Sequence, residues 1–381
     1  MKQFQSPNLD RALDLANDIL IIDGHIDVPY WMAEVYKEDI SAATIGGDFD
    51  YPRARKGGLD AAFMSIYVPV RFQKSGGARD YANDLIDMVE GFVAGHPTKF
   101  GSAITPADIR ENHDAGLVSM PIGIENGVAI EEDLRNLEHF FDRGVRYMTL
   151  VHAADNLICD SSYDKSSTWG GLSDFGRDVV REMDRLGMIV DVSHVSDKAF
   201  FDVLKVASRP LVATHSSARA FTPGWERNLS DELILALAGT GGLMMINFGS
   251  DFLDREYDSA STRLRKRINK RIEEKGLERF SDEGFRMFSE FRKANPVGSV
   301  TDVVRHIKHV AQLVGIDHVG LGSDFDGVFS LPVGLQDVGD YPNLIAALLD
   351  DGFSDDDVRK ICGENFMRVW QQIETSVVMN G

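Results

Sequence analysis

Short apolar runs recur along this chain, and they constrain its fold more than any other feature. The runs are continuous rather than alternating, as expected for strands that are buried on both faces of a parallel sheet. Eight of them predict strands at 19–25, 60–68, 119–125, 146–151, 188–193, 210–214, 242–248 and 317–322.

Most segments between these runs have the periodicity of amphipathic helices. Their apolar residues are spaced three and four apart, which predicts helices at 80–94, 131–143, 172–186, 197–207, 230–239 and 300–314. Ser196 and Ser230 occupy N-cap positions, and Gly187 stands where a helix should end. Strand and helix alternating eight times predict a parallel (β/α)₈ barrel of the TIM type.

The predicted barrel accounts for the whole chain as one domain, 1–381, because α/β barrels of this length are common. One segment interrupts the alternation. Residues 251–295 are highly charged and fall between the seventh and eighth predicted strands. We interpret them as a helical insertion, either a solvated helical pair outside the barrel or a lid or dimer contact over the site.

Charge and composition exclude some functions. Lys and Arg number 40 and Asp and Glu number 60, which gives a formal net charge of −20. Such an acidic protein is not expected to bind nucleic acid or an anionic membrane.

No secretory signal and no apolar stretch of membrane-spanning length are visible, so the expected location is the cytoplasm. Cys159 and Cys362 are interpreted as reduced thiols, with one disulfide between them left open.

Metal-binding and proton-handling residues follow the predicted strands. Because the carboxyl ends of barrel strands meet at one face, these side chains should converge there. Several carboxylates and imidazoles at one point call for a positive charge between them, and a divalent metal is the natural candidate. The residues are His25, Asp27, Glu125, His152, His194, His215 and Asp324.

Each of these residues has a less specific interpretation when it is taken alone. His25 and Asp27 form an HxD pattern that is common in solvated pairs, and Glu125 could pair with an arginine. His194 and His215, taken singly, resemble hydrogen-bonded core histidines. Taken together, the five residues supply five ligands, too many for one tetrahedral zinc with an open position; they are His25, Asp27, Glu125, His194 and His215. If Glu125 bridges two ions, each receives three protein ligands, as in two-metal hydrolytic sites.

The remaining residues suggest roles around the metals. Asp324 could accept the proton of an attacking water, with Asp326 as a rival carboxylate, and His152 could stabilise an oxyanion. Arg227 offers a guanidinium for a substrate carboxylate, although its spacing alone is more typical of a surface arginine. The six other histidines are interpreted as structural or exposed.

Seven motifs then resemble the membrane (renal) dipeptidase family of zinc dipeptidases, within the amidohydrolase barrels. The resemblance covers about residues 15 to 370, and its motifs are DGHID, GIEN, TLVHAADN, DVSHVS, THSSAR, ERNLSDE and VGIDHVGLGSDFDG. It implies one zinc on His25, Asp27 and Glu125, and a second zinc on Glu125, His194 and His215. It also implies that His152 and Arg227 bind substrate and that Asp324 handles the catalytic proton.

The resemblance implies a function that the residues themselves leave open. The expected reaction is hydrolysis of dipeptides, including those with a D-residue at the C-terminal position, by attack of a metal-bridging hydroxide. A soluble bacterial-type member and a homodimer are also implied, and other divalent metals could replace zinc. Hydrolysis of N-acyl amino acids on the same metals is the alternative activity. A catalytically idle barrel is the alternative of a different class, and intact metal ligands argue against it.

Overall fold

The predicted apolar runs form parallel strands that close into a barrel. In the computed structural model, which describes residues 4–378, the barrel order is β1, β2, β5, β6, β7, β8, β9, β10 and back to β1. The (β/α)₈ barrel expected from the sequence is therefore confirmed. The strands of the described part are β1 (Ile22–Ile26), β2 (Ala61–Tyr67), β3 (Phe100–Gly101), β4 (Val118–Ser119), β5 (Ile122–Glu125), β6 (Val145–Thr149), β7 (Ile189–Asp191), β8 (Val212–Ser216), β9 (Leu243–Ile246) and β10 (Val319–Leu321).

The predicted strand at 119–125 is two strands in the structure. It divides at Pro121, whose ring nitrogen has no hydrogen to donate to a ladder. The first part, β4, pairs Ser119 with Ala61 and carries the two-residue strand β3 beside it. The second part, β5, belongs to the barrel and ends on Glu125.

Helices surround the barrel and agree closely with the sequence periodicity. The predicted helix 300–314 is α14, whereas 131–143 shortens to α7 because Glu131 has a φ of 53°, which ends helical geometry there. The α-helices of the described part are α1 (Leu9–Asp18), α2 (Val28–Glu34), α3 (Tyr51–Gly57), α4 (Phe72–Ser75), α5 (Ala78–Gly95), α6 (Pro106–Asp114), α7 (Arg135–Asp142), α8 (Asp174–Leu186), α9 (Asp197–Val206), α10 (Asp231–Gly239), α11 (Ser250–Leu253), α12 (Arg255–Glu274), α13 (Asp282–Ala294), α14 (Val300–Val314), α15 (Tyr341–Asp350), α16 (Asp355–Arg359) and α17 (Asn365–Val378).

Local sequence signals set where these helices begin and end. Ser196 and Ser230 accept N–H groups from Ala199 and Leu233, so both are N-caps, as predicted. Gly187 ends α8 in the left-handed conformation, with a φ of 77°. The two N-caps fix the ends of the connections that carry site residues after β7 and β8.

The amino-terminal end of the barrel is closed by the last helix. Phe366 and Trp370 of α17 pack against Phe63, with ring centroids 5.3 and 5.4 Å away. All three side chains are buried in one cluster with inward-facing residues of the other strands. The opposite, carboxyl end of the barrel is therefore the face where a site can open.

The charged segment after β9 folds into helices that pack on one another. Between α12 and α13, Ile268 and Ile272 cluster with Phe288 and Phe291, and with Phe329 from the loop after β10. This small core explains how a strongly charged segment forms stable helices outside the barrel.

Two further observations concern the described residues as a whole. Cys159 and Cys362 are both buried and free, which agrees with reduced thiols. Within residues 4–378, no helix combines the length and the apolar composition needed to cross a membrane.

Candidate metal centre

The carboxyl ends of six barrel strands bring all seven predicted site residues together. His25 and His215 lie in β1 and β8, and Glu125 is the last residue of β5. The other members lie within three residues of a strand end: Asp27 after β1, His152 after β6, His194 after β7 and Asp324 after β10. His25 and His215 are inaccessible to solvent, and Glu125 is 3% exposed.

Glu125 lies at the centre of the cluster, and its two oxygens face different imidazoles. Oε1 is 3.1 Å from His194 Nε2 and 3.3 Å from His215 Nε2. Oε2 is 3.5 Å from His25 Nε2, which is also 3.6 Å from the carboxylate of Asp27. One carboxylate thus stands between two pairs of potential ligands.

The donor atoms fit metal ions better than they fit one another. His25 Nε2 and Asp27 Oδ1 are buried, and neither has a hydrogen-bond partner among the described residues. His194 Nε2 and His215 Nε2 point at each other across 2.8 Å. Imidazole nitrogens and carboxylate oxygens are the ligands zinc accepts, and converging lone pairs of this kind are stabilised by a cation.

The described part of the chain contains three sets of residues that could hold a metal ion. Within each set, the donor atoms all lie within 4.8 Å of one another. The sets are His25, Glu125 and His215; Glu125, His152 and His194; and His25, Asp27 and Asp324. Glu125 and His25 each belong to two sets. The cluster therefore offers several overlapping sets of candidate metal ligands.

Burial and mutual charge determine the protonation of the cluster. Burial lowers the pKa of His194 well below its ordinary value and that of His215 to about 3, so both imidazoles are neutral and able to bind a metal. Burial raises the pKa of Glu125, but His152 and His25 outweigh it and hold that pKa well below its usual range. Glu125 therefore stays an anion.

Polar side chains behind the cluster orient its imidazoles. The Tyr147 hydroxyl lies 2.8 Å from His25 Nδ1, which leaves Nε2 facing the centre. Thr214 Oγ1 lies 2.8 Å from His215 Nδ1 and donates to Asp191. Partners of this kind fix the ring orientation and raise the basicity of metal-binding histidines.

Backbone strain is concentrated at the same face. His194 and Asp324 have φ values of 69° and 62°, and Asn126, next to Glu125, has a φ of 81°. Residues with side chains rarely adopt this region, and such strain clusters at functional sites. The strained turns aim these side chains inward just after the strands end.

Asp324, rather than Asp326, faces the metal cluster. Asp324 lines the cavity there and accepts a hydrogen bond of 2.7 Å from Asn247. Burial and the neighbouring Asp27 raise its pKa well above the ordinary value. Asp326 instead accepts the backbone N–H of Asp48 and lines a separate cavity. Gly327 leaves room for both carboxylates at the cluster, since a Cβ there would lie 2.1 Å from Asp27 Oδ2 and 2.2 Å from Asp324 Oδ1.

His152 and Arg227 differ in their access to the cavity. His152 lines it, with Nε2 3.5 Å from Glu125 Oε1. Arg227 is 1% exposed and lies behind His194, donating to His194 Nε2 at 3.1 Å and to the carbonyl of His215 at 2.7 Å. It is therefore not the surface arginine that its spacing alone suggested, and its Nε has no partner among the described residues.

A profile of the membrane dipeptidase family, peptidase family M19, matches residues 9–379. The chain belongs to this family. It is accordingly a metallopeptidase-type hydrolase of peptide bonds, which confirms the resemblance seen in the sequence motifs.

Individual relatives agree with this assignment. The chain is 32% identical to Dipeptidase ataJ of Aspergillus terreus, over 98% of this chain and 89% of that protein. It is 34% identical to Dipeptidase aclJ of Aspergillus oryzae, over 93% of this chain and 78% of the other.

Solved structures of a probable dipeptidase and a metallopeptidase share the fold. The probable dipeptidase PvdM from Pseudomonas aeruginosa has a TM-score of 0.78 at 26% identity, covering 96% of this chain and 98% of the other. A metallopeptidase from Rhodobacter sphaeroides, solved with a phosphinate mimic of L-Ala-D-Ala, has a TM-score of 0.75 at 27% identity, covering 93% and 99%.

The structure adds residues that the sequence analysis missed. Asn247 follows the apolar run of β9 and carries the same strand-end signal as the others, so it could have been found. Tyr147 lies within β6, and a Cβ on Gly123 of β5 would lie 2.1 Å from its ring. No local pattern marks an inward-facing tyrosine as a partner of His25.

Proposed function

We propose that this chain is a dipeptidase that works with two zinc ions and cleaves the single peptide bond of dipeptides. The observation that carries the proposal is the position of Glu125, whose oxygens face His25 on one side and His194 with His215 on the other. A carboxylate in that position suits a bridge between two ions.

The proposed ligands divide between the ions as follows. His25 and Asp27 hold one ion and His194 and His215 hold the other, with Glu125 shared. When bound, zinc acts as a Lewis acid on the peptide carbonyl and lowers the pKa of water to near neutrality. His25 Nε2 and Asp27 Oδ1, which have no hydrogen-bond partner within residues 4–378, support this division.

Two residues of the chain handle charge and protons during the reaction. Asp324 takes a proton from the attacking water and returns it to the departing amine, and Asn247 holds its carboxylate in place. His152 lies at the edge of the cavity, 24% exposed, where its Nε2–H can donate to the developing oxyanion.

Arg227 binds the C-terminal carboxylate of the dipeptide in this proposal. One of its N–H groups now donates to His194 Nε2, the same lone pair that a metal requires. With a metal on that lone pair the N–H would lose its acceptor, and the Nε–H has no partner among the described residues. The two together offer the fork that arginine presents to carboxylates. A requirement for this carboxylate favours dipeptides over longer chains.

We extend the proposal to dipeptides with a D-residue at the C-terminal position. The support is the Rhodobacter sphaeroides relative, which was solved with a mimic of L-Ala-D-Ala and is similar over 93% of this chain.

A substrate panel tests the proposed function. Zinc-loaded protein is assayed with L,L- and L,D-dipeptides, tripeptides and N-acyl amino acids, and its zinc content is measured per chain. We expect two zinc ions and hydrolysis of dipeptides, with tripeptides at least about tenfold slower. Activity only on N-acyl amino acids would establish the alternative reaction on the same metals, and an inactive protein holding two ions would remove the proposal.

A further inference from the structure

The wall of the metal cavity beside His194 is aromatic. The cavity has a volume of about 540 Å³, and Tyr163, Trp225 and Phe252 all line it. Ring centroids lie 5.7 Å apart between Tyr163 and His194, 6.2 Å between Tyr163 and Trp225, and 4.9 Å between Trp225 and Phe252. The three rings thus form a continuous row that starts at a proposed metal ligand, and we call it the aromatic wall.

Two of the three rings of the aromatic wall retain accessible surface beside the reaction centre, whereas Phe252 is buried. Tyr163 is 41% exposed, and Trp225 is half-buried rather than packed into the core. Aromatic rings left accessible in a cavity are typical of ligand-binding surfaces, because covering them with an apolar group removes water from both partners. A cavity of this volume holds a side chain much larger than a methyl group.

Hydrogen bonds hold the Tyr163 end of the wall in place. Ser162 N–H donates to the carbonyl of His194 at 2.8 Å, and Tyr163 N–H donates to Ser161 Oγ at 3.1 Å. The hydroxyl of Ser161 in turn donates to the carbonyl of His152. The loop that carries Tyr163 is therefore tied to the backbone of two residues of the metal cluster.

Asn228 holds the other end of the wall. Its side chain donates to the carbonyl of Phe252 at 2.9 Å and accepts the N–H of Ser217, two residues after His215. It also donates its backbone N–H to the carbonyl of Trp225 at 3.3 Å. A rigid, preformed surface of this kind loses little conformational entropy when it binds a side chain.

The position of Arg227 decides which residue of the substrate reaches the wall. The Arg227 guanidinium lies 5.0 Å from the centroid of the Phe252 ring, and Trp225 is two residues before it. A carboxylate held by Arg227 brings the side chain of the same amino acid against Trp225 and Phe252. The cavity lining also carries two acidic and two basic residues, Asp251, Asp258, Arg255 and Arg265, so its charged groups select for neither sign of charge.

We propose that Tyr163, Trp225 and Phe252 form a subsite for an aromatic or large aliphatic side chain on the C-terminal residue of the dipeptide. The inference rests on the proposed function, because it places the C-terminal carboxylate at Arg227. It goes further by naming a substrate class: dipeptides that end in a bulky apolar residue.

The test compares substrates that differ only in the C-terminal side chain. The value of kcat/KM is measured for Ala-Phe and Ala-Ala, with the second residue as L or D, and for Phe-Ala. We expect the wild type to prefer Ala-Phe over Ala-Ala by roughly tenfold to a hundredfold, because a phenyl ring is buried. In Trp225→Ala this preference falls about tenfold, mainly through KM for Ala-Phe, since the lost contact is made in the ground state as well.

Matched variants separate the subsite from a merely structural role. Trp169→Ala removes a 47% exposed ring that belongs to the same loop as Tyr163 but lies outside the cavity. Its ratio of kcat/KM for Ala-Phe to kcat/KM for Ala-Ala should therefore equal the wild-type ratio. A structural defect lowers kcat/KM for both substrates alike, whereas loss of the subsite changes the ratio of the two kcat/KM values. Zinc content and circular dichroism show that each variant is folded. If Trp225→Ala fails to fold, Trp225→Leu should give an intermediate ratio.

The outcomes are distinguishable. Equal rates for Ala-Phe and Ala-Ala in the wild type, an unchanged ratio in the folded Trp225 variant, or a preference confined to the N-terminal residue would overturn the subsite while leaving the dipeptidase proposal standing. Hydrolysis of no dipeptide at all would remove both.

Discussion

At the scale of single residues, the cluster shows how a buried carboxylate is kept charged at neutral pH. Glu125 is 3% exposed, and burial of an unpaired carboxylate is costly. Three histidine nitrogens lie within 3.5 Å of its Oε1, and a fourth faces Oε2. His152 and His25 stabilise the anion most, while His194 and His215 are neutral and keep lone pairs for metal ions.

Asp324→Asn tests the proton-handling role of this carboxyl group. The amide keeps the contact with Asn247 but cannot accept a proton, so we expect kcat to fall by about 10²–10⁴-fold with both zinc ions retained. Steady-state kinetics and metal analysis measure the two effects. Asp326→Asn is the control, since that side chain lies in another cavity, and its kcat should stay within about tenfold. Near-normal turnover in Asp324→Asn would exclude the role.

Tyr147→Phe tests how His25 is positioned. Loss of the hydroxyl 2.8 Å from Nδ1 leaves the ring free to turn, so zinc affinity should fall by about 10–100-fold. Competition with a chromogenic chelator measures it without relying on activity. Tyr67→Phe is a suitable control because the Tyr67 hydroxyl makes no hydrogen bond within residues 4–378. Equal affinities in the two variants would show that Tyr147 does not support His25.

At the scale of elements, the sequence predicted the barrel because its strands differ from its helices in a simple way. Strands buried on both faces are continuous apolar runs, and the helices are amphipathic, so strand and helix positions agreed within a few residues. The errors have local causes: Pro121 divides one run, and the positive φ of Glu131 delays the start of α7.

The site was predictable only where it follows the strand ends. All seven residues chosen on that basis converge in the structure. Arg227 and Tyr163 come from loops whose placement depends on contacts with His194 and Trp225, which no local pattern encodes. The inward position of the Tyr147 ring depends on Gly123, which faces it from a neighbouring strand. Tertiary packing, rather than sequence periodicity, determines those positions.

A buried ion pair joins the insertion to the segment between α2 and α3. Arg292 of α13 donates two hydrogen bonds to Asp48, which is inaccessible to solvent. Arg292→Met should lower the free energy of unfolding by about 3–5 kcal/mol, because it leaves a buried carboxylate unpaired. Urea denaturation measures this loss. Arg286→Met, an exposed change on the same helix, should stay within about 0.5 kcal/mol. Comparable losses in both variants would contradict the role of the pair.

His306 of α14 makes the stability of the fold depend on pH. Its Nδ1 accepts the N–H of Ala218 and its Nε2 lies 3.0 Å from the carbonyl of Leu253, so the buried ring is neutral. Burial lowers its pKa to about 4, against about 6.5 in the unfolded chain. Between these values the unfolded chain binds the extra proton, so stability is full above pH 6.5 and is lost as the pH falls towards 4.

The pH effect is measured by comparing wild type with His306→Gln. Urea unfolding of metal-free protein is followed from pH 7 to 4.5, so that other groups cancel in the difference. We expect the wild type to lose up to about 3 kcal/mol more than the variant over this range. Parallel pH profiles would show that His306 does not titrate with unfolding.

At the scale of the whole molecule, the metal centre joins parts of the chain that lie far apart in sequence. His25 belongs to the first barrel strand, Glu125 to the third and His215 to the sixth, so ions held between them link much of the barrel. Ions that bind only the folded chain stabilise it by mass action.

Chelation therefore tests the two-ion proposal without measuring activity. If free zinc exceeds each dissociation constant about a thousandfold, each ion adds about 4 kcal/mol, which corresponds to roughly 10 °C in Tm for two ions in a chain of this size. We expect Tm to fall by that amount after dialysis against a chelator, and to recover as zinc is added back up to two equivalents. His194→Ala should recover only part of the shift, because Glu125 and His215 then hold the second ion with one ligand fewer. Recovery complete at one equivalent would contradict a bridge at Glu125 and favour a single ion among these residues.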